Sequence, residues 1–184
     1  HITGRTKIVG VIGDPVAHSR SPQMHNAAFA ELGMDYVYVP FHVRPEALRP
    51  AIEGFKAIGV VGINVTLPHK QSVIPCLDTI SREAELIGAV NTLIFKDGKI
   101  AGDNTDAPGF LQAMRKAGFD VPRGASAVVI GAGGSARAIV VALALAGLGS
   151  VVIANRTVSK AVALAADLSE KTGVRIEGMG LEDA

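Results

Sequence analysis

The stretch Val128-Val129-Ile130-Gly131-Ala132-Gly133-Gly134-Ser135-Ala136 constrains this 184-residue chain more than any other. An apolar, β-branched run meets G-x-G-x-x-A, and a pattern rich in Ala and Val follows at once. A strand that turns this tightly into a helix reads as the opening of a doubly wound parallel sheet. Gly131 permits the tight turn, Gly133 lets a pyrophosphate approach the backbone, and the small Ala136 lets the helix pack close to the strand. The N–H groups at the helix start, with Gly134 and Ser135 among them, suit an anion. A plain packing turn is the alternative reading of a bare glycine motif; its place between strand and helix favours a dinucleotide. Strands over residues 127–130, 151–154 and 174–177 alternate with helices over 136–146 and 159–172. That is a βαβαβ half of a doubly wound α/β fold.

The second of these strands ends in Ala154-Asn155-Arg156-Thr157, 24 residues beyond Gly131. NAD-binding folds place an acid on the ribose at about 20 residues. None stands here. Arg156 and Lys160 supply two cations, and Asn155 and Thr157 supply neutral hydrogen-bonding groups, a set that suits a 2′-phosphate. A solvated Arg–Lys pair at a helix start is the alternative, although cations there oppose the helix dipole. The expected cofactor is NADP.

The preceding part of the chain also alternates. Strands are expected over residues 8–12, 36–39 and 60–65. Helices are expected from Ser21-Pro22 to Gly33, through Ile52 and Phe55, and in two short pieces over 71–77 and 82–87. Asp97-Gly98, between apolar runs, signals a type I′ hairpin. A helix over 107–117 then leads to Pro122-Arg123-Gly124, which reads as a linker.

Composition narrows the function classes. Lys and Arg total 18 against 17 Asp and Glu, for a net charge of +1, so no basic surplus favours nucleic acid. Cys76 is the one cysteine, which excludes an internal disulfide framework. The histidines show no metal-ligand spacing with acids, so no metal is expected. The longest apolar run, residues 138–149, falls short of the roughly 20 residues a membrane span needs. The N-terminus lacks a signal-peptide pattern, and His1 in place of Met reads as a processing or tag remnant. The expectation is a soluble cytoplasmic protein, a monomer or homodimer.

Four segments carry polar residues where strands end: His18-Ser19-Arg20-Ser21-Pro22, Asn64-Val65-Thr66-Leu67-Pro68-His69-Lys70, Gly88-Ala89-Val90-Asn91-Thr92 and Gly102-Asp103-Asn104-Thr105-Asp106. Converging hydroxyls and carboxamides would hold a small, hydroxyl-rich molecule, with Lys70 meeting an anionic or carbonyl group. Each residue also has a plain reading. Ser21 can be an N-cap, Asn64 and Thr66 turn residues, Asp103 and Asp106 caps, and Lys70 a solvent-facing lysine.

Together these segments, with Gly13-Asp14-Pro15, Gly131-Ala132-Gly133-Gly134 and Asn155-Arg156-Thr157, resemble the shikimate dehydrogenase family over essentially the whole chain. The resemblance implies NADPH-dependent reduction of 3-dehydroshikimate to shikimate in aromatic amino-acid biosynthesis. It implies a substrate-binding catalytic domain over residues 1–103 and a Rossmann-type NADP-binding domain over 104–184. Ser19 and Ser21 would hold the substrate carboxylate, and Asn64, Thr66, Asn91 and Asp106 its hydroxyls. Lys70 and Asp106 would be the catalytic pair. Gly131, Ala132, Gly133, Gly134, Ser135 and Ala136 would take the pyrophosphate, and Asn155, Arg156, Thr157 and Lys160 the 2′-phosphate. The family more often has Arg where Lys160 stands. Its members are longer, so only the first half of the nucleotide domain is expected here. The alternatives are a quinate/shikimate dehydrogenase and a non-catalytic binding fragment.

Overall fold

A computed structural model of the chain describes residues 2–184; His1 and the reading attached to it lie outside them. The chain divides into two compact units. One holds the residues through Ala84 together with Val90–Asp103, and the other holds Glu85–Ala89 and Asn104–Ala184.

In the first unit, β1 (Lys7–Gly13), α1 (Ser21–Glu31), β2 (Tyr36–His42), α2 (Leu48–Ala57) and β3 (Gly62–Val65) form alternating strand and helix. There follow α3 (His69–Ser72), β4 (Thr79–Ile80), the start of α4 (Arg82–Ile87), β5 (Thr92–Lys96) and β6 (Lys99–Asp103). The sheet order is β2-β1-β3-β5-β6-β4. β1 runs parallel to β2 and β3, while β3–β5 and β5–β6 are antiparallel. The core lies where α2 turns Leu48, Ile52 and Phe55 onto one face, at the i, i+4, i+7 spacing of an amphipathic helix. They pack with Ile12, Ile63, Val65, Leu93 and Ile100. Each such side chain stabilises the fold by about 1.5–3 kcal/mol through burial.

The hairpin forms as expected. Asp97 and Gly98 both have positive φ, 51° and 71°, as a type I′ turn requires. Three local expectations change. Ser21 is the first helical residue of α1, with Arg20 at the cap position and Pro22 in the first turn, so Ser21 is not an N-cap. The helix expected over 71–77 divides into α3 and a 3-10 turn, Ile74–Cys76. Pro75 has no N–H to continue the helical ladder. β4 was not expected, because two residues carry no periodicity. Asp78 anchors it instead, donating its N–H to the Ile100 carbonyl (2.9 Å) and accepting from Ile100 N–H through Oδ2 (2.7 Å).

The second unit begins with α5 (Asp106–Lys116) and continues β7 (Ser126–Ile130), α6 (Gly134–Leu145), β8 (Ser150–Ala154), α7 (Val158–Thr172) and β9 (Arg175–Met179). Its three strands are parallel in the order β7-β8-β9. α6 is buried through Ala138, Val140, Val141 and Leu143, an Ala- and Val-rich face that suits close packing. At Gly178 on β9 a Cβ would stand 2.4 Å from the Ala161 backbone, so α7 lies against this strand with no room for a side chain. Pro122, Arg123 and Gly124 lie inside this unit rather than at its border. Val121 and Ala125, which flank the segment, pack against the unit's core, so it is not a linker.

Candidate functional site

In the first unit the loops at the strand ends are stitched together by backbone hydrogen bonds. Val65 N–H donates to the Asn91 carbonyl (2.8 Å), Val90 N–H to the Lys70 carbonyl (2.7 Å), and Asn91 N–H to the Asp103 carbonyl (3.0 Å). Thr66 N–H donates to Ile12 (2.9 Å), and His69 N–H donates to Thr66 (3.0 Å). The structure therefore brings the segments bearing Asn64, Thr66, Lys70 and Asn91 into one cluster. Lys70 and Asn91 are buried. The plain reading of Lys70 as a solvent-facing lysine is wrong, because α3 tucks it beneath these loops. His69 beside it is fully buried, and its Nε2 donates to the Val43 carbonyl at 2.7 Å.

Ser19 and Ser21 stand at the entry to α1, both half-buried, and Ser21 N–H donates to the Ser19 hydroxyl at 3.3 Å. Tyr38, on β2, links them to the cluster. Its hydroxyl donates to Asn64 Oδ1 at 2.7 Å. Burial pushes its pKa up to about 12, with hydrogen bonding to Ser21 a smaller, opposing influence. Tyr38 therefore stays a neutral donor at any physiological pH. No sequence signal points to this role: Tyr38 reads only as part of a strand.

Asp103 closes the first unit and accepts from the Ser81 hydroxyl at 2.6 Å. Asp106 opens α5 in the second unit, where Asp106 N–H donates to Asn104 Oδ1 at 2.9 Å. The fourth polar segment is thus shared between the two units, with Asn104 also donating to the Ala89 carbonyl at 2.9 Å.

In the second unit the glycine turn has the expected form. Gly131 has φ +111°, and neither Gly131 nor Gly133 has an atom within 4 Å of the place a Cβ would take. Gly133 is the cap residue of α6 and makes no side-chain cap, so the helix begins at Gly134, two residues before the expected start. Ala136 is buried against the core. Ala132 is half-buried and Ser135 exposed. Beyond β8, Asn155 Nδ2 donates to the Thr157 carbonyl at 3.0 Å, and Thr157 caps α7 without a side-chain bond. Arg156 and Lys160 are both exposed at this helix start. An open glycine turn at a helix N-terminus and two accessible cations at the next one fit a phosphorylated dinucleotide. A cavity of about 480 Å³ against β7, walled by Phe110, Met114, Val128 and Ile139, contains none of these residues. Among the described residues no cluster of His, Cys, Asp and Glu is placed to hold a metal ion, and no helix is long and apolar enough to cross a membrane.

Residues 11–93 match the family model for the shikimate dehydrogenase substrate binding domain, and residues 113–180 match that for shikimate / quinate 5-dehydrogenase. The chain belongs to the shikimate dehydrogenase family. It is 52% identical over 181 residues to shikimate dehydrogenase (NADP(+)) of Methanopyrus kandleri, covering 98% of this chain and 62% of that protein. A crystal structure of a shikimate dehydrogenase in complex with NADP+ superposes with a TM-score of 0.89 at 46% identity, covering 99% of this chain and 64% of the other. The Thermus thermophilus enzyme in complex with NADP(H) and shikimate gives 0.81 at 42%, covering 92% and 62%. The chain thus spans about three-fifths of the length of these relatives.

Proposed function

We propose that this chain supplies the substrate-binding unit, and the first half of the nucleotide-binding unit, of an NADP-dependent shikimate dehydrogenase. The reaction interconverts 3-dehydroshikimate and shikimate. The observation that carries this reading is the cluster of the first unit, where the segments bearing buried Lys70, Asn64, Thr66 and Asn91 are joined by hydrogen bonds and Ser21 is linked to Asn64 through Tyr38. This is more polar, hydrogen-bonding surface than a turn cluster needs. It matches a small ring bearing a carboxylate and hydroxyls.

In this reading residues 1–103 form the substrate domain and residues 104–184 the nucleotide domain. Ser19 and Ser21 hold the carboxylate near the N-terminus of α1, where the helix dipole also favours an anion. Asn64, Thr66, Asn91 and Asp106 hold the hydroxyls. Bound NADPH supplies the hydride. The carbonyl oxygen gains negative charge as its carbon is reduced, and Lys70 donates the proton that completes the alcohol. Asp106 is its partner. Residues 131–136 receive the pyrophosphate, and Asn155, Arg156, Thr157 and Lys160 receive the 2′-phosphate. The near-neutral charge and single cysteine support a cytoplasmic enzyme that acts on a small molecule, as a monomer or homodimer.

The test is NADP-dependent oxidation of shikimate, with Lys70→Ala compared with the wild type. Loss of a general acid–base group lowers kcat by roughly 10²–10⁴ with little change in KM, because the loss falls on the transition state. A near-normal kcat with a greatly raised KM would make Lys70 a binding residue and remove the catalytic assignment.

A further inference from the structure

Asn64 can sit in its cluster only one way round. Its Nδ2 faces the Asn91 carbonyl at 3.4 Å and the Thr92 hydroxyl at 3.3 Å. The Asn91 carbonyl already accepts from Val65 N–H, and a carbonyl cannot donate, so a reversed amide would set two acceptors face to face. Asn64 Oδ1 therefore points at Tyr38, whose hydroxyl must be the donor. Thr92 then passes the direction on, its hydroxyl donating to Asn91 Oδ1 at 2.8 Å.

Tyr38 is itself immobilised. It is 4% exposed, and its ring stacks on His25 with centroids 4.4 Å apart and planes 5° from parallel. The Asn26 side chain brackets its backbone, donating to the Tyr38 carbonyl (2.9 Å) and accepting from the Tyr38 N–H (2.8 Å). A phenol held at ring and backbone alike has little rotamer freedom left to lose on binding.

We infer that Tyr38 and Thr92 are positioning residues in a one-way hydrogen-bond chain, Tyr38 to Asn64 to Thr92 to Asn91, that fixes which end of each carboxamide meets the hydroxyls of the substrate. The chain makes the site selective for a hydroxyl pattern: Asn64 Nδ2 is spent on the Asn91 carbonyl and the Thr92 hydroxyl, so Asn64 can meet a substrate only through Oδ1, which accepts from a hydroxyl and cannot donate. The inference rests on the shikimate reading of this cluster for its ligand, and on the hydrogen bonds alone for the fixed orientation.

The experiment pairs calorimetric titration of shikimate with side-chain amide NMR of the ligand-free protein. Tyr38→Phe keeps the ring and its stack on His25 but removes the donor. It should raise the shikimate Kd about three- to tenfold, the scale of one neutral hydrogen bond, and shift the Asn64 side-chain N–H signals before any ligand is added. NADP affinity should not move. Thr92→Val should do the same at Asn91, and Thr92→Ser, which keeps the hydroxyl, should restore the wild-type Kd. If Tyr38→Phe does not fold, the Thr92 pair decides: equal weakening by Val and Ser overturns the proposal. Unchanged Asn64 signals and unchanged affinity in Tyr38→Phe also overturn it. A wild-type protein that binds no shikimate, yet whose Asn64 signals shift in Tyr38→Phe, would overturn the substrate reading and uphold the orienting chain.

Discussion

Arg137 Nη1 stands 2.8 Å from Asp167 Oδ2, and the same nitrogen donates at 2.8 Å to the Ile87 carbonyl. One guanidinium on α6 thereby binds α7 and the Glu85–Ala89 segment within the second unit. Gly88 makes the arrangement possible. Its φ is +68°, and a Cβ there would come within 2.8 Å of Arg137 Nη1. The glycine of the Gly88-Ala89-Val90-Asn91-Thr92 motif is a structural requirement of Arg137.

Gly88→Ala and Arg137→Met should each destabilise the protein, by about 1–3 kcal/mol for the strained backbone and about 2 kcal/mol for the lost charged hydrogen bond. Their effects should not add. With Arg137 shortened, the new methyl loses its worst neighbour, so the double variant should be at least about 0.5 kcal/mol more stable than the sum predicts. Urea denaturation of the four proteins measures this, and strict additivity would separate the two residues.

Burial alone pushes the Asp167 carboxyl up, but hydrogen bonds and charge from Lys171 and Arg137 outweigh it and hold the group below its usual value. Its stabilisation is therefore complete above the ordinary carboxylate pKa, about 3.9, and is lost as pH falls through the lower folded value. Asp167→Asn should lower Tm at neutral pH, and the gap to the wild type should close only under acid conditions. Thermal melts across that range check it; a gap independent of pH would mean that the carboxylate charge contributes nothing.

Ser19→Ala and Ser21→Ala should weaken shikimate binding and leave NADP binding intact. Each removes a donor to a charged group, worth about 1.5–3 kcal/mol. Ser19→Ala should cost more in folding as well, since its hydroxyl accepts from Ser21 N–H. Calorimetry with each ligand distinguishes these serines from simple loop residues, for which neither affinity would change.

Arg156→Asp should move cofactor preference from NADP toward NAD. The variant exchanges a phosphate partner for a repelling carboxylate able to accept from a ribose hydroxyl. Because Arg156 is exposed in the absence of ligand, stability should hardly change. Losing a charge-assisted contact should alter the kcat/KM ratio by about thirtyfold or more, softened by Lys160. An unaltered ratio would show that Arg156 faces solvent in the complex too.

Much of this was legible in the sequence because its signals are local. Gly131, Gly133 and Ala136 announce a strand-to-helix turn by their sizes alone, and Asp97-Gly98 announces a hairpin through the positive φ both residues must adopt. The alternation of apolar strands and helices through β9 reflects the periods of the two structures. The polar segments stand out by gathering at strand ends, but each residue there also reads as a cap, turn or surface residue, and only the family resemblance attaches roles to them.

The sequence by itself determined the α/β class, the glycine turn, the hairpin and the residue types gathered for the site. Tertiary structure alone decided who meets whom. Tyr38 reaches Asn64 across 26 residues, and Arg137 reaches Ile87 across 50. Sheet order brings β3 and β5 together, so that Asn64 faces Asn91 and Thr92. The Glu85–Ala89 segment packs with the second unit although its neighbours on both sides belong to the first. Periodicity records which face of an element is buried but not which element covers it. That choice is made by packing, where shape and hydrogen-bond partners over the whole unit must be satisfied together.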